Sequence, residues 1–119
     1  MKYFTILIFL IWIHFMSDFI LQSDSMAKNK SSKLLWLSFH CLIYSIPFFI
    51  FCFSFYTTFR SAFIFTFIIG ISHFLIDLVT SKVNEKLYKN NKRYWLFVDI
   101  GFDQALHLTI IFLAFKYIY

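Results

Sequence analysis

Four apolar runs of about 20 residues each, separated by short polar links, constrain this chain more than any other feature. They run from about Tyr3 to Leu21, Leu34 to Tyr56, Ser61 to Thr80 and Tyr94 to Phe115. Each matches the length a helix needs to cross ~30 Å of hydrocarbon. The 119 residues are 61% hydrophobic and 14% charged, with 19 Phe. A water-soluble domain of this size could not hide that much apolar surface, and a disordered chain would not carry it. The expected fold is therefore all-α: a polytopic membrane protein, a four-transmembrane-helix bundle forming a single membrane domain over residues 1–119.

The first run is not read as a cleaved leader, because it holds His14 and Asp18 and no small-residue cleavage site follows. Pro47 should kink the second span. Cys41 and Cys52 form no CxxC pattern and read as buried inert thiols. Tyr3, Trp36, Tyr94, Trp95, Tyr117 and Tyr119 fall near the span ends, as an aromatic belt would, while Trp12 and Tyr44 call for no special role.

The net charge of +5 does not point to nucleic acid, because the basic residues sit in the links. The first link, `QSDSMAKNKSSK`, and the third, `SKVNEKLYKNNKR`, hold eight of the 11 basic residues. Lys2, Arg60 and Lys116 belong to the other side. The positive-inside rule then places links one and three in the cytoplasm and both termini outside. The second link, near Thr57 to Arg60, reads as a tight turn.

An internal repeat supports the same layout. `HFMSD` at His14 returns as `HFLID` at His73, 59 residues later. The offset also aligns Lys33 with Lys92, Trp36 with Trp95 and His40 with Asp99. Two tandem parallel helical-hairpin repeats, about 1–59 and 60–119, are expected, related by a two-fold axis along the membrane normal.

Ionisable residues inside membrane spans are costly and mark function. All four histidines and four of the five aspartates lie within the spans. His14, Asp18 and Gln22 step by four, as do His73 and Asp77, and Asp99, Asp103 and His107. That spacing stacks each set on one helix face. At 1.5 Å per residue, His14, His73 and Asp103 lie about 12 Å from the cytoplasmic ends, His40 about 9 Å, and Asp18, Asp77 and Asp99 about 6 Å. Four helices thus bring ligand-type side chains to one layer.

Imidazole with carboxylate suits Zn²⁺, Fe²⁺ or Mn²⁺. The expected ligands are His14, Asp18, His40, His73, Asp77, Asp103 and His107, with zinc the first choice and iron or manganese the alternatives. The rival reading is a metal-free network in which His and Asp satisfy one another. The lack of a Glu-x-x-His pattern argues against a ferritin-like di-iron site, and no `HExxH` is present.

The pieces `HFMSDFILQSDSMAKNK`, `LWLSFHCLIYS`, `HFLIDLVTSK` and `DQALHL` together touch every span. Through them the chain resembles a family of small bacterial integral membrane proteins catalogued as a domain of unknown function. The resemblance implies a bacterial cell membrane. It also implies that His14, Asp18, Gln22, Lys30, His40, His73, Asp77, Asp103, Gln104 and His107 are characteristic positions. A looser resemblance runs to bacterial membrane proteins described as metal-dependent hydrolases, which also carry His-x-x-x-Asp pairs in helices.

The leading function is then a metal-dependent hydrolase acting on a phosphate-bearing or lipid substrate at the cytoplasmic side. Asp99 or Asp103 would accept the proton from water. Gln22 and Gln104 would support the site, and Lys30, Lys33, Lys89 and Arg93 would form a basic rim that attracts an anionic headgroup. A divalent-metal or proton transporter or channel subunit is the main alternative and would need a homo-oligomer. A small structural or accessory subunit serving a membrane partner protein is the third.

The charge bias predicts the orientation. A Lys89→Cys variant lacking Cys41 and Cys52 should resist an impermeant thiol reagent added outside intact cells and react once the membrane is opened. Labelling from outside would reverse the topology.

Overall fold

The computed structural model describes residues 2–55 and 58–119, with the side chain of Lys2 left aside. Five α-helices account for almost all of it: α1 (Lys2–Phe15), α2 (Asp24–Asn29), α3 (Leu34–Phe55), α4 (Phe59–Lys89) and α5 (Arg93–Ile118). A π-helical turn, Met16–Ile20, continues α1. Among the described residues, four helices are long and apolar enough to cross a membrane: α1 with its π turn, α3, α4 and α5. They form the expected four-helix bundle.

Local signals set the ends. Ser23 caps α2 by accepting from the Met26 amide at 3.3 Å, and Thr58 caps α4 by accepting from Ser61 at 3.3 Å. Of the second link, placed near Thr57 to Arg60, Thr57 lies outside the described residues, as does Tyr56 at the end of the second span, while Phe59 and Arg60 already belong to α4. Pro47 sits within α3, which runs unbroken to Phe55.

The third link is shorter than the sequence suggested. The stretch expected as a polar link from Ser81 onward is mostly helix, because α4 extends to Lys89. Its Lys, Glu and Leu residues favour helix, and Glu85 and Lys89 pair across one turn. The chain then reverses over Asn90–Lys92. Asn91 takes φ 55°, a left-handed conformation that Asn tolerates, while the Lys92 amide donates to the Leu87 carbonyl and the Asn91 amide to that of Tyr88. This is a Schellman closure with Asn in the usual glycine place.

Each long helix buries a stripe that changes character along its length. In α1 the buried residues run Ile6, Leu10, His14, Ser17, Asp18, the last two in the π turn. In α4 they run Phe65, Ile69, His73, Asp77, and in α5, from the opposite direction, Phe115, Ile111, His107, Asp103. In α3, His40 and Tyr44 precede Phe48 and Cys52. The apolar halves pack together around Leu10, Phe48, Phe65 and Ile111. The polar halves meet at the end of the bundle that carries the lysine-rich links. Outward-facing Phe and Ile residues, among them Phe4, Phe63, Phe67 and Phe102, stay exposed, as lipid-facing side chains would.

α3 and α4 approach closely at Gly70, where a Cβ would meet the Ser45 hydroxyl at 2.6 Å. That hydroxyl already donates to the Cys41 carbonyl at 2.8 Å. Gly70→Ala should therefore lower stability by about 1–3 kcal/mol. Adding Ser45→Ala should recover most of the loss. Thermal unfolding in detergent tests both, and an unchanged Gly70→Ala variant would refute the close contact.

Candidate metal centre

Two carboxylates anchor the polar half. Asp18 and Asp77 are 5% and 2% exposed, so neither can be hydrated and each must find its partners within the bundle. The π turn places Asp18 there. The Leu21 amide donates to the Met16 carbonyl at 2.9 Å, five residues back, which widens the helix at Asp18. Asp18 Oδ1 then points at α3 and α4, and Ser17 beside it is fully buried.

Four atoms converge there. His40 Nε2 lies 3.0 Å from His73 Nε2 and 3.1 Å from Asp18 Oδ1. His73 Nε2 lies 3.4 Å from the same oxygen. Asp77 Oδ2 is 3.6 Å from His40 Nε2 and 3.7 Å from His73 Nε2. One ligand atom from each of the four residues lies within 4.8 Å of the others. A four-coordinate ion bonded to nitrogen and oxygen at about 2.0–2.2 Å has ligand–ligand edges of about 3.3–3.6 Å. The five measured edges straddle that range.

Hydrogen bonding alone accounts poorly for this geometry. Two Nε2–H groups cannot face each other at 3.0 Å, so one of the two imidazoles must present a lone pair to its neighbours. Those neighbours include two carboxylate oxygens, which are lone pairs again. A cation between the four would turn the repulsion into ligation, and this buried cluster could hold a metal ion.

A second group adjoins the first. Asp77 Oδ1 is 3.1 Å from His107 Nε2, and His107 Nε2 is 3.4 Å from Asp103 Oδ2. Asp18, Asp103 and His107 also bring ligand atoms within 4.8 Å of one another. Thr80 donates to Asp103 Oδ1 at 2.5 Å. The His73 ring stacks between two neighbours, with the Tyr44 centroid at 3.8 Å and the His107 centroid at 4.1 Å.

A directed chain of hydrogen bonds closes the side toward α1. Gln104 Nε2 lies 2.9 Å from both Asp18 Oδ2 and Asp103 Oδ2, and as carboxylates only accept, the amide must donate to both. Its Oε1 then faces His14 Nε2 at 2.8 Å, so His14 donates from Nε2. His14 Nδ1 is left as acceptor, and the Tyr44 hydroxyl at 2.9 Å is its donor.

Lys30 enters from the link after α2. Its Nζ donates to Asp77 Oδ2 at 2.8 Å, and its side chain is 18% exposed. Burial of the stem opposes the charge, but the carboxylates of Asp77 and Asp18 outweigh it and hold the ammonium above its ordinary pKa.

The structure thus brings together Asp18, His40, His73, Asp77, Asp103 and His107, with Gln104 and Lys30 in contact with them. His14 stands outside both ligand groups and orients Gln104. Asp99 does not reach the cluster: it is half-buried, and its Oδ2 has no hydrogen-bond partner. Gln22 Oε1 is also buried and unpartnered. Lys33, Lys89 and Arg93 are exposed, and Lys89 pairs with Glu85. Lys30, expected at the rim, is a direct partner of the site. Sequence reasoning passed over Tyr44 and Thr80. The signal for Tyr44 was its place four residues after His40, on the same face.

A four-helix bundle of membrane-crossing helices around a buried His–Asp cluster that could hold a metal ion defines the class of this protein. Within it, the chain belongs to the family described as a protein of unknown function, DUF3307, which matches residues 6–119. No curated protein and no solved structure matches the chain.

The hydrogen-bond chain predicts a role for the overlooked tyrosine. Tyr44→Phe keeps the stacking on His73 but leaves His14 Nδ1 without its donor, which should cost about 1–2 kcal/mol. Thermal unfolding in detergent reads the loss. No loss would mean that His14 is satisfied otherwise.

Proposed function

We propose that the protein is a membrane-embedded, metal-dependent hydrolase acting on a phosphate-bearing or lipid substrate at the cytoplasmic side. The observation that carries the reading is the surplus of buried ligands. Four residues suffice to close a structural ion, yet His107 lies against Asp77, Asp103 lies against His107, and both come within 4.8 Å of an Asp18 oxygen. Zinc fits two imidazoles and two carboxylates best, and Mn²⁺ or Fe²⁺ fits the same set. The ion would supply Lewis acidity, polarising a phosphoryl or acyl oxygen and easing the deprotonation of water.

The chain's own groups do the rest. Asp18, His40, His73 and Asp77 hold the ion. Lys30, fixed on Asp77, keeps a positive charge at the mouth for an anionic headgroup. Asp103 is the buried carboxylate left over once the four are engaged, so turnover depends on it. Polar atoms continue past the centre toward the basic end: Ser17 Oγ, Gln22 Oε1, Ser81 Oγ and Asn84 Oδ1 are buried without a protein partner and free to meet water or a headgroup. In the other direction the packed apolar core blocks passage, which weighs against a transporter.

One observation favours a second reading. The four ligands are almost wholly buried, as in a structural site that staples helices together. Elemental analysis of detergent-purified protein separates the readings from a metal-free network. About one divalent ion per chain is expected. His40→Ala and His73→Ala should each lose the ion and unfold at lower temperature. Asp103→Asn should keep ion and fold but lose at least about 100-fold in hydrolysis of lipid phosphates or phosphate esters. A metal-free parent as stable as before would leave only the hydrogen-bonded network. A metal-loaded parent inactive on every phosphate-bearing lipid and ester would leave the structural staple.

A further inference from the structure

We propose that the centre has a second divalent-cation position, formed by Asp18, Asp103 and His107, which fills together with a phosphate group. The inference rests on the first ion of the reading above and gives Asp103 its role there, as a ligand.

The two anchoring carboxylates are divided between two neighbourhoods. Asp18 turns Oδ1 to His40 and His73, and Oδ2 to Gln104. Asp77 turns Oδ2 to His40, His73 and Lys30, and Oδ1 to His107. A carboxylate serving one ion needs only hydrogen-bond donors on its free oxygen, whereas Asp18 has a further carboxylate and imidazole, Asp103 and His107, within 4.8 Å. A carboxylate that bridges two ions meets ligands of that kind at both oxygens, and paired ions in hydrolytic centres stand about 3.5–4 Å apart.

The second neighbourhood is already aimed at one point. Asp18 Oδ2 and Asp103 Oδ2 are each 2.9 Å from the same Gln104 nitrogen. His107 Nε2 is 3.4 Å from Asp103 Oδ2. A neutral amide between two buried carboxylates leaves both charges in place, whereas an ion there would cancel them. Gln104 is only half-buried, so its side chain has room to yield.

Charge says when the position fills. Asp18, Asp77 and Asp103 are all buried, and Lys30, paired with Asp77, is the ammonium beside them. With neutral imidazoles, three carboxylates against one ammonium leave two negative charges, which one divalent ion cancels. A second ion would leave two uncompensated positive charges in a dry core, which is prohibitive. A phosphate dianion bridging the ions restores neutrality. The class of ligand is therefore a phosphate monoester or free phosphate, and a neutral or singly charged headgroup fits less well.

Manganese reports both states, because paired Mn²⁺ ions sharing a carboxylate give an exchange-coupled paramagnetic spectrum that an isolated ion does not. Full-length protein is loaded with Mn²⁺ in phosphatidylcholine nanodiscs, and bound metal and spectrum are read in three arms: no addition, inorganic phosphate, and phosphatidic acid in the disc. One ion is expected without addition, and two coupled ions with at least one phosphate source; which source works tells free phosphate from lipid. Asp103→Asn and His107→Ala should hold one ion in every arm, two variants guarding against misfolding of either. Two ions without phosphate would overturn the coupling to the anion. One ion in every arm of the parent would overturn the second position and leave the first intact. No ion at all would overturn both.

Discussion

Carboxylates held away from water set the terms for the rest of this structure. Asp18 and Asp77 sit in the middle of a helical bundle where an unpaired charge would cost several kcal/mol. Each long helix and one link answer that demand. α3 supplies His40, α4 His73, α5 His107 and Gln104, and the first link sends Lys30 inward. The π turn falls at Asp18, the residue of that helix that reaches α3 and α4. Bundle geometry and site geometry are thus two descriptions of one arrangement.

The division of the bundle into a polar and an apolar half follows from the same demand. Partners must lie within a few ångströms of the carboxylates, so the polar residues gather at one depth. Beyond Tyr44 the core is closed by packing of Leu10, Phe48, Phe65, Ile69 and Ile111. Tyr44 stands at the boundary. Its ring belongs to the apolar core and stacks on His73, while its hydroxyl reaches His14.

The two hairpins contribute unequally to the cluster, although a 59-residue offset aligns their His-x-x-x-Asp motifs. His73 joins the four convergent atoms, while its counterpart His14 holds Gln104. His40 is fully buried, while the aligned Asp99 is half-buried and apart from the cluster. Lys30 reaches Asp77, while the aligned Lys89 pairs with Glu85 on its own helix. The first link is long enough to fold back as α2, whereas the third closes tightly at Asn91, and that difference in reach separates the two lysines.

The sequence by itself determined the four membrane-length helices, the polar stripe that α1, α4 and most of α5 turn inward, and the end at which the polar residues collect. Length, hydropathy and four-residue spacing are properties of a single helix, so they can be read one helix at a time. The extension of α4 to Lys89 was legible only in part, because a polar helix outside the apolar stretch has no hydropathy signal. Partnership is different. Which imidazole meets which carboxylate depends on the rotation of four helices about their axes and on the π turn, and these are fixed only when all the side chains pack together. For that reason only the tertiary structure placed Tyr44 at the centre, left Asp99 aside, and turned Lys30 from a surface charge into a partner of Asp77.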